Sequence, residues 1–370
     1  MTKSGYDGQV PGPELRVRRG EEFAVRVLNE LSEPTAVHWH GVRLANGMDG
    51  APPLTQAPIA PGESFDYRFI APDAGTFYYH PPFSNYNHPL FSNGLGLCGA
   101  LIVEDTRPVD VDHDVTLMVV DAVLTLAGKP VRDGFAQNIN NSQTVFEIRA
   151  RANERLRLRF INAAEQVLQL RVANLPVFVM ATDGQPAQPF AAREGRLTLG
   201  PGNRIDVFAD CALLPGGAVP ISVERINLAN IPIGEVVCES ADMPGRTALR
   251  EAPIPLPPNP LPERMDFRGA MHAEATVGGK VGIGTPLFTT KRGRTVVLGL
   301  ANPTADYAFI HLRGHSFRLL DALDDGWKPF WLDTMPIAPG GKARIAFVAD
   351  NPGKWLIEGL DGANAWFEVT

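Results

Sequence analysis

The chain has 370 residues, a formal net charge of −7, 44% hydrophobic side chains and 20% charged ones. That length and balance suit two or three packed domains and argue against wholesale disorder. The acidic excess argues against nucleic acid or an anionic membrane surface as partner. No apolar run reaches the length of a membrane-spanning helix, so no membrane span is expected. The 36 Gly and 33 Pro fit a turn-rich, all-β chain. Cys98, Cys211 and Cys238 form no CxxC pair, allow at most one intrachain bridge and leave the redox compartment open. The start Met1-Thr2-Lys3-Ser4 does not read as a secretory signal.

Taken in order, residues 15–31 alternate in strand fashion through Leu15, Val17, Phe23, Val25 and Val27, with a turn at Gly20-Glu21. Strand-like runs follow at Val37–Leu44, Ser64–Ile70, Thr76–His80 and Gly99–Glu104, with Pro61-Gly62 as a turn. These make a first domain, 1–105. A second, 106–240, repeats the style at Val115–Val120, Thr144–Ile148, Leu156–Ile161, Gln169–Val172, Val177–Ala181, Arg204–Ala209 and Ile221–Glu224. Its one histidine is His113, so no metal cluster is expected there. Residues 241–264 hold seven prolines and read as a stiff linker rather than a partner-binding motif. The third domain, 265–370, has strands at Thr295–Leu300, Phe309–Leu312, Phe317–Asp321, Lys342–Phe347, Lys354–Ile357 and Phe367–Val369. Domains one and three share a layout: a histidine-bearing strand, a Pro-Gly turn (Pro61-Gly62; Pro339-Gly340), then a strand after a glycine (Gly75; Gly353).

The run His38-Trp39-His40-Gly41 carries the most chemistry. Strand side chains alternate faces, so the two imidazoles point the same way. Imidazole is the commonest metal ligand, which makes the pair a candidate metal site.

The chain resembles the laccase-like, three-domain multicopper oxidases. The matching runs are Tyr6-Asp7-Gly8-Gln9-Val10-Pro11-Gly12-Pro13, His38-Trp39-His40-Gly41, Met48-Asp49-Gly50, Thr55-Gln56, Ile59-Ala60-Pro61-Gly62 and Tyr78-Tyr79-His80. Others are Asp183-Gly184, Leu199-Gly200-Pro201-Gly202, His311-Leu312, Gly314-His315-Ser316-Phe317 and Asn351-Pro352-Gly353-Lys354-Trp355. The resemblance implies three consecutive cupredoxin-like Greek-key β-sandwiches. It also implies a trinuclear copper cluster held by four His-x-His pairs between domains one and three.

Against that pattern, His38 and His40 are intact, His80 has lost its partner to Pro82, and His311 has lost its partner to Arg313. Glu358 and Leu360 stand where the fourth pair belongs. The type 1 copper needs a thiolate and imidazoles. Its cysteine position is Gly359, and one of its histidine positions is Ala308. By resemblance, His38 and His311 are the two ligands of the type 2 copper, and His40 and His80 are two of three for one type 3 copper. The other type 3 copper has lost all its ligands. Opposite charges replace two of them, so Arg313 and Glu358 are expected to form a bidentate ion pair there. Glu358 as a carboxylate ligand is the alternative.

Asp49 reads as an acid beside the cluster or as a turn residue, and His315 as an outer-layer or packing histidine. His88 sits in a loop that looks exposed, and His113 and His272 read as surface residues. Trp327, Trp331 and Trp355 read as core, and Met243, Met265 and Met271 are too sparse for a methionine-rich copper-handling segment. Three functions follow. The first is a residual histidine site for one or two copper ions, with zinc possible, and no laccase-type oxidation. The second is a metal-free scaffold acting through a protein partner. The third is a copper-sequestering protein. The resemblance implies a periplasmic or other extracytoplasmic location.

Overall fold

The structure is a computed structural model that describes residues 5–82, 96–121, 137–140, 145–225, 227–239, 245–262, 264–277, 284–321, 329–359 and 362–370. Strands and turns dominate, with short 3-10 turns such as Asn46–Met48 and no α-helix among the described residues. His88, Trp327, Met243 and Leu360 lie outside them. The chain divides into two compact units: 1–14, 93–100 and 107–257, and 15–92, 101–106 and 258–370.

In the first unit, a six-stranded sheet and a five-stranded sheet share one core. Leu117, Leu158, Phe160 and Val207 fill it from the first sheet, and Leu170, Ile221 and Val236 from the second. Alternation explains the sorting. Strand Arg155–Asn162 sends Leu156, Leu158 and Phe160 inward, while Arg155, Arg157 and Arg159 occupy its other face. Those arginines are buried, and carboxylates satisfy them: Asp210 for Arg155, Asp206 for Arg157, and Asp114 with Asp206 for Arg159.

The second unit holds His38, His40, His80 and His311. Strand His38–His40 pairs antiparallel with Gly75–His80 in a four-stranded sheet, and Glu22–Leu28 pairs with Ser64–Ile70. The strand expected over Val37–Leu44 is shorter, because Gly41 has φ 84° and Val42 N–H turns back to the Trp39 carbonyl at 3.1 Å. Ala308–Leu312 lies between Gly353–Gly359 and Thr334–Ile337 in a five-stranded sheet. Proline-rich residues 251–262 contain no strand but are docked: the Asn259 side chain bonds both backbone groups of Ala74 at 2.8 Å.

The internal repeat extends further than the layout shared by domains one and three. Asn29, Asn162 and Asn302 are all buried. Each amide donates to the carbonyl two residues before a Pro-Gly turn, at Ile59, Leu199 and Ile337, over 2.8, 3.0 and 2.9 Å. Each also donates to a carbonyl four residues on and accepts the backbone N–H two residues on. One side chain thus closes the same strand-end and turn three times, including in the domain that lacks a histidine cluster.

Removing the amide strands buried carbonyls, so Asn162→Ala should cost about 2–3 kcal/mol in urea unfolding. A loss below about 0.5 kcal/mol would mean that water replaces the amide.

Candidate metal centre

His38, His40 and His80 reach one face through strand register. His38 is the cross-strand partner of His80, and His40 of Tyr78. The opposite face carries Trp39 and Tyr79, and Trp39 packs into Phe23, Tyr67 and Phe69. His311 comes from strand Ala308–Leu312, whose register sets it beside Thr334 and Glu358. All four histidines are buried. The ligand nitrogens of His38, His40 and His311 lie within 4.8 Å of one another, the one such group of His, Cys, Asp or Glu among the described residues.

Two pairs of ring nitrogens face each other. His38 Nε2 is 3.1 Å from His311 Nε2, and His40 Nδ1 is 3.2 Å from His80 Nε2. The far nitrogens decide what those faces carry. His38 Nδ1 meets the Asp49 carbonyl at 3.1 Å, and His311 Nδ1 meets the Asp333 carbonyl at 3.1 Å. A carbonyl only accepts, so both Nδ1 atoms carry a proton, and in the neutral rings each Nε2 presents a lone pair. His80 Nδ1 donates to the Pro81 carbonyl at 2.7 Å. Thr334 Oγ1 donates to Asp333 at 2.8 Å and accepts from His40 Nε2 at 2.9 Å. Between His38 and His311, two lone pairs aimed at each other repel unless a cation lies between them.

A proton on His38 or on His80 is disfavoured. Burial holds His38 well below the usual histidine range, and the charge of Arg313 adds to the effect. Burial takes His80 down to about 3, with Arg313 again contributing and the Pro81 carbonyl opposing. Two nitrogens that each bind one ion at 2.0–2.1 Å lie about 2.9–3.4 Å apart at ordinary ligand angles, which matches both pairs. Metal-bound histidines also hold their second N–H on a carbonyl or carboxylate. The donor set therefore fits a copper or zinc ion.

The replaced positions form a charged block. Arg313, fully buried, donates from Nε to Glu358 Oε2 at 2.8 Å, with Nη2 2.6 Å from the same oxygen. The expected ion pair is present, but both nitrogens converge on one oxygen rather than two. Glu358 Oε1 makes no hydrogen bond among the described residues. A third member was not expected in this pair: Arg313 Nη1 reaches Asp49 Oδ2 at 3.1 Å.

Asp49 closes the turn Asn46–Met48 with its backbone N–H, and its carboxylate lies 3.2 Å from His38 Nδ1. Burial raises its pKa, against the pull of Arg313. Glu358 is outside the close histidine group, and its pairing with Arg313 replaces the reading of it as a ligand. Pro82 is buried, Ala308 opens its strand, and Gly359 pairs with Ile310; none of the three carries a donor side chain.

Asp333 and Thr334 are the residues that sequence reasoning missed. They underlie His40 and His311, with Asp333 Oδ1 3.6 Å from His40 Nε2 and 3.5 Å from His311 Nδ1. Only the pairing of His311 with Thr334 reveals them. His315 packs against Phe347, Trp355 and Phe367 and touches the Arg313 carbonyl. His113 is tied to Glu154 at 2.7 Å, and His272 is exposed. Trp355 is core, while Trp331 lies under the Arg318 guanidinium.

Sequence profiles described as multicopper oxidase match residues 2–108, 112–213 and 256–358, so the sandwiches are three cupredoxin-like domains. The structure of Lac15 from a marine microbial metagenome superimposes with a TM-score of 0.87 at 33% identity, over 99% of this chain and 93% of that one. A multi-copper oxidase from Pseudomonas Thermotolerans gives 0.83 at 29% identity, over 98% and 93%. Multicopper oxidase MmcO of Mycobacterium tuberculosis is 28% identical over 95% of this chain and 79% of its own. On these matches the chain belongs to the multicopper oxidase family.

Proposed function

We propose that this protein holds one or two copper ions on His38 with His311 and on His40 with His80, without performing laccase-type oxidation. The observation that carries the reading is the pair of bare Nε2 atoms of His38 and His311, 3.1 Å apart, each with its Nδ1 committed to a backbone carbonyl. Copper at these nitrogens would supply one-electron redox chemistry. The type 1 route for substrate electrons has no ligands here, since Ala308 and Gly359 stand at its positions and no cysteine follows Cys238. By resemblance the protein works outside the cytoplasm.

The test is copper loading of the metal-free protein, followed by dialysis and elemental analysis. Wild type should retain one or two equivalents, and His38→Ala/His311→Ala should retain less by at least one. Loaded protein should show no thiolate–copper absorption band and no turnover of a phenolic dye. Dye turnover with such a band would overturn the proposed loss of oxidase function.

The block of Arg313, Glu358 and Asp49 favours a second reading, a scaffold that needs no metal. It supplies its own cation where a copper belongs in the family pattern. Sub-stoichiometric metal in loaded wild type would establish that reading. Bound copper that no reductant and oxygen can cycle would instead mark a sequestering protein.

A further inference from the structure

Cys211 and Cys238 sit in the first compact unit. Cys211 follows the last residue of strand Arg204–Asp210 in the six-stranded sheet. Cys238 ends strand Ile231–Cys238 in the five-stranded sheet. Both are fully buried in the core those sheets share. Cys238 Sγ meets the Leu213 carbonyl at 3.6 Å, two residues past Cys211, and the two thiols are electrostatic neighbours.

Backbone bonds fix both residues. Cys211 N–H donates to Glu154 O at 2.8 Å, and its carbonyl accepts from Asn153 at 2.9 Å. Cys238 is held by Gly217 O at 2.8 Å and by Gly216 N–H at 2.9 Å. Cys238 Sγ therefore lies against the segment that carries Cys211, the placement from which a bridge would close.

We propose that Cys211 and Cys238 form a disulfide when the chain folds in the presence of a small disulfide oxidant, stapling the two sheets of the second-domain sandwich. One cysteine thiolate attacks oxidised glutathione, forming a mixed disulfide and expelling one glutathione thiolate. The second cysteine thiolate then attacks the protein-side sulfur and expels the other. The two cysteine sulfurs are oxidised, the glutathione disulfide is reduced, and the two cysteine protons end on the two glutathione thiols. Burial pushes the Cys211 thiol up to about 12, with Cys238 adding to the shift, so little thiolate exists once the sandwich has closed. The bridge therefore forms during folding. Closing the segment between the two strands restricts the unfolded chain and stabilises the sandwich.

The experiment refolds the full chain from denaturant in a glutathione redox buffer, then counts thiols under denaturing conditions and maps peptides without reduction. Free thiols should fall from three to one, with Cys98 the survivor and a linked pair of peptides two hydrogens lighter than their sum. Reduction of the refolded protein should lower its melting temperature. Cys211→Ser and Cys238→Ser should each keep two free thiols. Three free thiols in wild type, a bridge that includes Cys98, or disulfide-linked dimers would overturn the proposal. The wild-type peptide map decides the matter even if neither serine variant folds.

Discussion

Arg313→Ala should destabilise the protein by about 3–5 kcal/mol, the cost of leaving buried carboxylates without their cation. Glu358 and Asp49 both direct an oxygen at this guanidinium, and all three side chains are at most 2% exposed. Water cannot take over the lost contacts without opening the core. Arg313→Lys should recover only part of the loss, because an ammonium is a point charge and cannot serve two carboxylates in the fork geometry that Nε and Nη1 provide.

Arg313→Met/Glu358→Met separates charge from packing. It removes the principal ion pair together, so it should unfold at higher urea than Arg313→Ala despite losing more polar contacts. Urea midpoints for the three variants in chelator decide the matter. If Arg313→Ala fell within about 1 kcal/mol of wild type, the block would have to be solvated and could not substitute for a metal ion.

The histidine site was legible as far as strand periodicity reaches. The spacing in His38-Trp39-His40 requires one shared face, and that face is where both imidazoles lie. The charge pair of Arg313 with Glu358 was legible from opposite signs at positions that the family resemblance ties to one ion. Its geometry was not, because which oxygen an arginine takes depends on a third residue, and Asp49 arrives from a turn far away in sequence. Asp333 and Thr334 were invisible for a related reason. Their role depends on which strand lies beside Ala308–Leu312, a pairing across a long connection that local patterning does not encode.

The strand boundaries show the same division. Alternating runs such as Ser64–Ile70 were readable. Gln185–Ala191 carries two prolines, which hide a strand from local patterning; it lies at a sheet edge, where missing backbone donors are tolerated. The asparagine repeat could have been found in the sequence, since each copy precedes a Pro-Gly turn. Its signal is a single polar residue at a strand end, which means little until its partners are known.

Metal-free protein should lose stability on acidification from pH 7.5 to 5.5, and His315→Asn should lose measurably less. His315 is buried among Phe347, Trp355 and Phe367, and its ring contacts the Arg313 carbonyl through Nδ1. Burial lowers its pKa to about 3, with the Arg43 charge contributing and the carbonyl opposing. In the unfolded chain the same ring titrates near 6.5. Between those values the unfolded state binds a proton that the folded state refuses, so acid favours unfolding. The stability is complete above 6.5 and is lost progressively as pH falls toward 3. One unit below 6.5 the loss is about 1.4 kcal/mol for each such histidine.

His80, also lowered to about 3, adds a similar loss in metal-free protein. Asp49 works in the opposite direction, because its raised pKa lets the folded state take up a proton first, but only as pH approaches the carboxylate range. Holding the lower limit at pH 5.5 keeps the histidine contribution dominant. Asparagine retains a donor for the Arg313 carbonyl and removes the titrating ring. The difference between the urea-unfolding free energies at pH 7.5 and 5.5 should therefore shrink by about 1.4 kcal/mol in His315→Asn. Identical differences in the two proteins would mean that His315 is protonated in the folded state, and that its aromatic surroundings do not exclude the charge.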